Sequence, residues 1–373
     1  MKKIYLLLVV ISACISSQKL LAQGDHLETI KITDSIYVFK PKIDWTHGNG
    51  VAIIGNDGVF FIDTYISPLY ALEAINRLKA VTKLPVKYVL NTHWHYDHVM
   101  GNYEFKLAFP DCKFIMHDST NHFMKTQVKS VIDGDLEGTK QGMAQLLKER
   151  QERKTSNGFP ITDSMLPFWD LQIQYGKELL DNYRPIKVVM ADITLNDHLT
   201  FQWGSMTLQI NHLKQYAHSE GDLIVWIPQK KLVITGDIVV GPTPYETQPN
   251  APGMVKAIQQ IIDMKPSIII PGHGVVQYDL SYLNLLKEAF TSYLREAEVA
   301  AKNNIPLKEA VAYIKLDDLD YKFTKGDDLK KWAFRSMFKS QVVIQTYQRL
   351  AKTRSDLSPR TACICQVQRI LKF

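Results

Sequence analysis

The sequence predicts a layered α/β protein, and three observations carry that prediction. Short apolar, β-branched runs recur through the first three-quarters of the chain. Stretches of helical spacing separate some of them, in a strand–helix–strand order that calls for helices covering a sheet. Turn residues such as Asn56-Asp57-Gly58 punctuate the others.

The elements follow in order. Thr29 to Ile32 and Ile36 to Phe39 read as the first strands. Val51 to Ile54 and Val59 to Ile62 flank Asp57-Gly58, which is a hairpin signature. From Pro68 to Val81, Leu69, Leu72, Ile75 and Leu78 recur at helical spacing. Val86 to Leu90 is a buried-type strand that runs straight into Asn91-Thr92-His93. A second half repeats the style. It has a strand pair over Leu199 to Ile210 around Trp203-Gly204, and another over Leu223 to Ile227 and Leu232 to Thr235. A helix over Met254 to Met264 and a strand over Ser267 to Ile270 follow.

Between the halves, residues 119–183 form a polar insertion rich in Lys, Glu and Gln, expected to hold two or more helices. Phe159 and Phe168-Trp169 interrupt it. Such aromatics either pack the insertion on the main domain or cover a pocket, and packing is their usual service. Helices are also expected over Leu280 to Asn303, from Leu307, and over Asp328 to Thr353. The expected organisation is a leader over residues 1–22, a core domain over 23–280 holding the insertion, and a helical extension over 281–373. In the final stretch, Cys363-Ile364-Cys365 is not a zinc pattern by itself.

Composition excludes several classes. With 46% hydrophobic and 22% charged residues, the 373-residue chain is neither disordered throughout nor fibrous. Four cysteines cannot make a disulfide scaffold. The formal charge is +6. Lys2, Lys3 and Lys19 supply half of it and lie in the expected leader. No arginine-rich stripe with interleaved aromatics appears, so a nucleic-acid partner gains no support.

Met1-Lys2-Lys3 followed by the apolar run Ile4 to Ala13 fits a secretory signal; a membrane-spanning helix needs roughly 20 residues. Two processing routes are open. Cleavage after Ala22 is one. The other is lipidation at Cys14, because Ile11-Ser12-Ala13-Cys14 resembles a bacterial lipoprotein box. Either route places the working protein outside the cytoplasm, in the periplasm or secreted, and a membrane is a partner only if Cys14 carries lipid.

The segment richest in chemistry is His93-Trp94-His95-Tyr96-Asp97-His98. Four candidate metal ligands sit in six residues, directly after a strand. On an extended chain His93 and His95 point the same way, Asp97 continues the alternation and His98 turns off it. One loop can therefore feed two neighbouring ions. Imidazole nitrogen and carboxylate oxygen suit Zn²⁺ and also admit Fe, Mn or Co. Further candidates stand beyond other strands, each next to glycine: His218 in Ala217-His218-Ser219-Glu220-Gly221-Asp222, Asp237 in Thr235-Gly236-Asp237, and His273 in Pro271-Gly272-His273-Gly274. Glycine permits the tight turns and close approach such loops need. Trp94 and Tyr96 are expected to point away and pack. His47 could reach the pocket rim. His117, His122, His198 and His212 have ordinary surface or structural readings. Asp63 and Asp222 are candidates to accept the outer N–H of ligating histidines.

This ordered set, HWHYDH, AHSEGD, TGD and PGHG, resembles the metallo-β-lactamase-fold metallohydrolases over roughly residues 28–280, less the insertion. The resemblance implies an αββα sandwich with the metals at one edge. It implies that His93, His95 and His218 bind one ion, that Asp97, His98 and His273 bind a second, and that Asp237 bridges them. Lactamases proper carry a cysteine or a serine at the position taken for Asp237, so the set looks more like the glyoxalase II and lactonase branches. Val99-Met100-Gly101-Asn102 also departs from the glycine-rich run common there.

The expected function is hydrolysis of an ester, lactone, amide or related bond of a small molecule. Hydroxide shared by two zinc ions would be the nucleophile, and Asp97 would orient it and pass a proton to the leaving group. Three alternatives stand beside this one: a β-lactamase proper, a mononuclear iron dioxygenase on the same fold, and a catalytically idle binding protein.

Overall fold

The computed structural model describes residues 25–42, 47–245 and 250–353. The expected leader with Cys14, and the Cys363-Ile364-Cys365 stretch, lie outside them. Two sheets form the centre. Seven strands make the first, in sequence order: β1 (Leu27–Lys31), β2 (Ile36–Pro41), β3 (Gly50–Ile54), β4 (Val59–Ile62), β5 (Val86–Leu90), β6 (Lys113–His117) and β7 (Ile193–Leu195). The second has five: β8 (His198–Trp203), β9 (Met206–His212), β10 (Leu223–Ile227), β11 (Leu232–Ile234) and β12 (Ile268–Ile270), with β12 and β8 at its edges.

Alternation along the strands builds the layers. In β4, Phe60 and Ile62 face the space between the sheets, where they meet Val225 and Ile234. Val59 and Phe61 face the other way, onto helix α1 (Pro68–Val81). In β10, Val225 and Ile227 point between the sheets, and Ile224 packs with helix α8 (Ala251–Asp263). Strands buried on both faces read as continuous apolar runs, which is why these segments lack polar alternation. Full burial of one such side chain stabilises the fold by roughly 1.5–3 kcal/mol. The result is an αββα sandwich. Strands β1 to β4 are antiparallel neighbours, whereas β4, β5, β6 and β7 run parallel. Parallel neighbours require crossovers, and α1 and the insertion supply two of them.

The insertion lies between β6 and β7. Its helices include α4 (Asp118–Phe123), α5 (Lys129–Asp133), α6 (Asp135–Glu152) and α7 (Leu166–Asp181). It is tied to the sandwich by the Trp94–Phe123 stack at 4.8 Å, by a hydrogen bond between Ser67 and Tyr175, and by the Arg184–Glu104 ion pair at 3.0 Å. Its aromatics do not pack on the main domain as first expected. Phe168 and Trp169 pack on Trp332 of the C-terminal extension, with Met165 and Met337 in the same cluster. The apolar surface they need is provided by the extension, not by the sheets.

That extension comprises α9 (Ser281–Lys302), α10 (Leu307–Tyr313), α11 (Asp317–Thr324), α12 (Asp328–Ala333) and α13 (Ser340–Thr353). The stretch expected as one helix from Asp328 onward contains a π-helical segment, Phe334–Lys339. There Phe334 and Phe338 both reach the Tyr293 ring, at 5.9 and 5.6 Å. Among the described residues no helix is long and apolar enough to cross a membrane.

Candidate metal centre

Loops at one edge of the sandwich bring the candidate ligands together. His93 and His95 follow β5. Asp97 and His98 lie on a single helical turn, α2 (Tyr96–Val99). The extended alternation expected through Asp97 therefore stops at His95, and the turn swings Asp97 and His98 toward a second group. His218 comes from the β9–β10 loop, Asp237 from a short turn after β11, and His273 from the loop after β12.

The seven side chains fall into two groups of four that share one member. His93, His95, His218 and Asp237 form the first, and Asp97, His98, His273 and Asp237 the second, with one ligand-type atom per residue within 4.8 Å of the others in its group. Asp237 is the hinge of the pair. Its carboxylate faces His93 Nε2 at 3.8 Å, His98 Nε2 at 3.2 Å, His218 Nε2 at 3.5 Å and His273 Nε2 at 3.4 Å. Within the groups, His218 Nε2 approaches His95 Nδ1 to 2.8 Å, and His273 Nε2 approaches Asp97 Oδ2 to 2.8 Å.

Outer hydrogen bonds orient the rings. Asp63 accepts from His98 Nδ1 at 2.8 Å, from Thr92 Oγ1 at 2.8 Å and from the Thr92 amide at 2.8 Å. Thr92 Oγ1 in turn lies 3.0 Å from His93 Nδ1. One carboxylate thus sets rings in both groups, with Nε2 of each left facing Asp237. Asp222 acts on backbone instead: it accepts from the His218 and Ser219 amides, each at 2.9 Å, and from Ser219 Oγ at 2.6 Å.

Three further contributors escaped the sequence reading. The His98 carbonyl accepts from the Thr64 amide at 2.9 Å and from Asn91 Nδ2 at 2.8 Å, while Asn102 Nδ2 donates to Asn91 Oδ1 at 2.8 Å. This buried clasp fixes the α2 turn. Asp63 and Tyr65 flank Thr64 with left-handed φ of 58° and 73°, a costly conformation for a tyrosine. Asn49 Nδ2 donates to the Pro271 and Gly274 carbonyls at 2.9 and 3.0 Å and so holds the His273 loop. Only its place beside Gly48 and Gly50 marked it in the sequence. His47 lies away from the rim: it is fully buried and its ring sits 4.3 Å from Tyr70 and 5.1 Å from Tyr175. Gly48 beside it has no room for a side chain, since a Cβ would come within 2.6 Å of the His98 ring. Trp94 is buried as expected, and Tyr96 is half-buried. His117 is a buried structural residue, 4.1 Å from the His212 ring.

Electrostatics divide the groups. Burial, reinforced by neighbouring imidazoles, pushes His93 well below the usual histidine range and His95 down to about 3, so both keep neutral lone pairs. In the second group burial opposes charge as well, but the Asp237 and Asp97 carboxylates outweigh it. They hold His98 well above its ordinary value and His273 at about 9. Conversely, burial would raise Asp97 and Asp237, and the His98 and His273 imidazoles outweigh that effect and keep both carboxylates ionised.

The donor set fits divalent cations. Asp237 Oδ1 and Oδ2 and His93 Nε2 are buried without any hydrogen-bond partner. Unsatisfied buried polar atoms cost about 1–3 kcal/mol each, more when charged. A carboxylate with four imidazole nitrogens converging on it is the chemistry of a shared metal ligand.

The family described as the metallo-beta-lactamase superfamily matches residues 43–273 of this chain. A metallo-beta-lactamase from Pontibacter korlensis is similar at 18% identity with a TM-score of 0.48, over 71% of this chain and 99% of that one. The stereoselective inverting sec-alkylsulfatase Pisa1 from Pseudomonas sp. is similar at 17% identity with a TM-score of 0.61. That match covers 89% of this chain and 52% of the sulfatase, so the chain spans about half the sulfatase's length. The likeness is one of fold. A search of curated proteins found no match.

Proposed function

The chain belongs to the metallo-beta-lactamase superfamily, and on that premise we propose that it is a metal-dependent hydrolase of a small molecule, acting on an ester, lactone, amide or related bond. One observation carries the reading: two ligand groups share Asp237, whose buried carboxylate has no hydrogen bond of its own. His93, His95 and His218 would hold one divalent ion, Asp97, His98 and His273 the other, and Asp237 would bridge them, with zinc the first candidate. When bound, such ions bring the pKa of a water they hold from about 15.7 toward about 7 and draw electrons from the oxygen of the bond to be cleaved.

The chain's own residues do the rest. Asp97 is the most exposed of the seven, its side chain 18% accessible, so it alone meets both the centre and an incoming molecule. Held ionised by His98 and His273, its carboxylate accepts a proton from the attacking water and returns it to the leaving group. Asp63 and Thr92 keep the rings of both groups in register. No protein nucleophile is called for: Cys112 is buried in the core, and Ser219 donates to Asp222.

A mononuclear iron oxygenase would leave the Asp97–His98–His273 group idle, which disfavours that alternative. For location, the charged and then apolar start of the sequence supports an extracytoplasmic site of action.

The test is purification with metals retained, metal analysis, and a screen of ester, lactone, β-lactam, sulfate-ester and phosphodiester substrates with and without chelator. Expected are two ions per chain and activity that chelator abolishes. Undiminished hydrolysis by a folded, metal-free Asp237→Ala variant would overturn the proposal.

A further inference from the structure

A cavity of about 560 Å³ lies between the sandwich and the helical insertion, a size typical of small-molecule sites. Its walls are mostly apolar. Ile66 and Met100 line it from the sandwich, and Val131, Leu179 and Ile186 from the insertion side. The Tyr96 side chain adds a wall from the turn that carries Asp97 and His98, yet none of the seven residues of the metal centre lines the cavity. Gly134 and Gly138, four residues apart where α5 gives way to α6, also border it. A Cβ on Gly134 would find nothing nearer than 3.9 Å, so the absence of a side chain there leaves room.

The polar groups are few. Ser67 Oγ and Tyr175 OH, hydrogen-bonded to each other, stand together in the lining. Two joined hydroxyls still offer one O–H and spare lone pairs, so the pair can both donate to and accept from a third hydroxyl. Burial raises the Tyr175 pKa and keeps its proton in place. Thr139 and Asp135 complete the polar lining, and Asp135 already has a partner within the protein. Among the lining residues there is no lysine, arginine or histidine.

We propose that this cavity is a second binding site, distinct from the metal centre, for an uncharged apolar molecule bearing a single hydroxyl group, such as a medium-chain alcohol or a phenol. The apolar walls take the hydrocarbon. The Ser67–Tyr175 pair takes the hydroxyl. An anionic head is disfavoured, because it would be desolvated with no cation to meet it and with Asp135 nearby. A cationic head gains little from a carboxylate that is already engaged. The occupant would touch Tyr96 and Met100, and through them the metal-bearing turn, without displacing any metal-binding side chain.

The experiment uses the metal-loaded full chain and reads binding, so it is independent of whether the protein hydrolyses anything. The probes are 1-octanol, octanoate and octylamine, titrated by calorimetry and followed by thermal shift. Expected is saturable 1-octanol binding that raises the melting temperature, with octanoate and octylamine at least tenfold weaker. Two cavity-filling variants, Gly138→Leu and Val131→Phe, should lose 1-octanol binding while retaining the wild-type metal content. Tyr175→Phe should weaken it several-fold. The proposal is overturned if wild-type protein shows no saturable 1-octanol binding. It is overturned equally if octanoate binds as well as 1-octanol, or if both filled variants bind as the wild type does.

Discussion

Gly272 and Asp237 lie in such close apposition that a Cβ at position 272 would stand 1.9 Å from Asp237 Oδ1. The same Cβ would meet the Gly236 carbonyl carbon at 2.7 Å. The glycine of the His273 loop is therefore what lets the carboxylate shared by both ligand groups occupy its place, and the two loops are built as one unit.

Gly272→Ala should displace Asp237. Bound metal is expected to fall to half the wild-type content or less. Overpacking of this kind costs about 1–3 kcal/mol. Metal analysis with urea unfolding of the same preparation checks both effects; unchanged metal content would show that Asp237 is not needed at its observed position.

Asp63→Asn keeps the shape but weakens the acceptor that orients His98 and, through Thr92, His93. Outer partners of metal ligands typically account for 10–100-fold in affinity. A loss of about that size is expected in competition with a chromophoric chelator, with the circular dichroism spectrum unchanged.

Trp332→Ala removes the ring on which Phe168 and Trp169 of the insertion rest. Truncating a buried tryptophan costs about 3–5 kcal/mol. Urea unfolding should show a destabilisation of that order, while metal content stays at the wild-type value because no metal-group residue belongs to this cluster.

Cys112 is buried, and burial pushes its thiol up to about 11. Near pH 8 only about one thiol in a thousand is then thiolate, the reactive form. Iodoacetamide should leave Cys112 unmodified in the folded protein at pH 8 and modify it fully after denaturation. As pH rises toward 10 the native rate should climb about tenfold per unit. Peptide mapping separates this cysteine from the other three.

Much of the fold was legible because its strands are buried on both faces. Val59 to Ile62 and Leu223 to Ile227 could only be interior strands, and both are. The Asp57-Gly58 turn and the helical spacing from Pro68 to Val81 were equally plain, since local geometry dictates them. The candidate ligands were legible for a different reason. Four ligand-type residues in six follow a strand, and the others stand beside glycine just past a strand end. What misled was the period: Asp97 was read on an extended chain, whereas a helical turn begins at Tyr96. The backbone clasp of Thr64, Asn91 and Asn102 on the His98 carbonyl could not be found in the sequence, because asparagine and threonine have many uses and only their meeting gives them one.

The sequence by itself determined the layered α/β class, the strand ends that carry the seven candidate side chains, and Asp63 as a residue to watch. Periodicity and turn chemistry are local and survive in one dimension. Tertiary structure alone decided that Asp237 faces four imidazoles at once, that the insertion's aromatics rest on the C-terminal helices, and that a cavity opens beside Tyr96. Those facts depend on how elements far apart along the chain come to rest against each other, and distance through space between such elements is not written in their order.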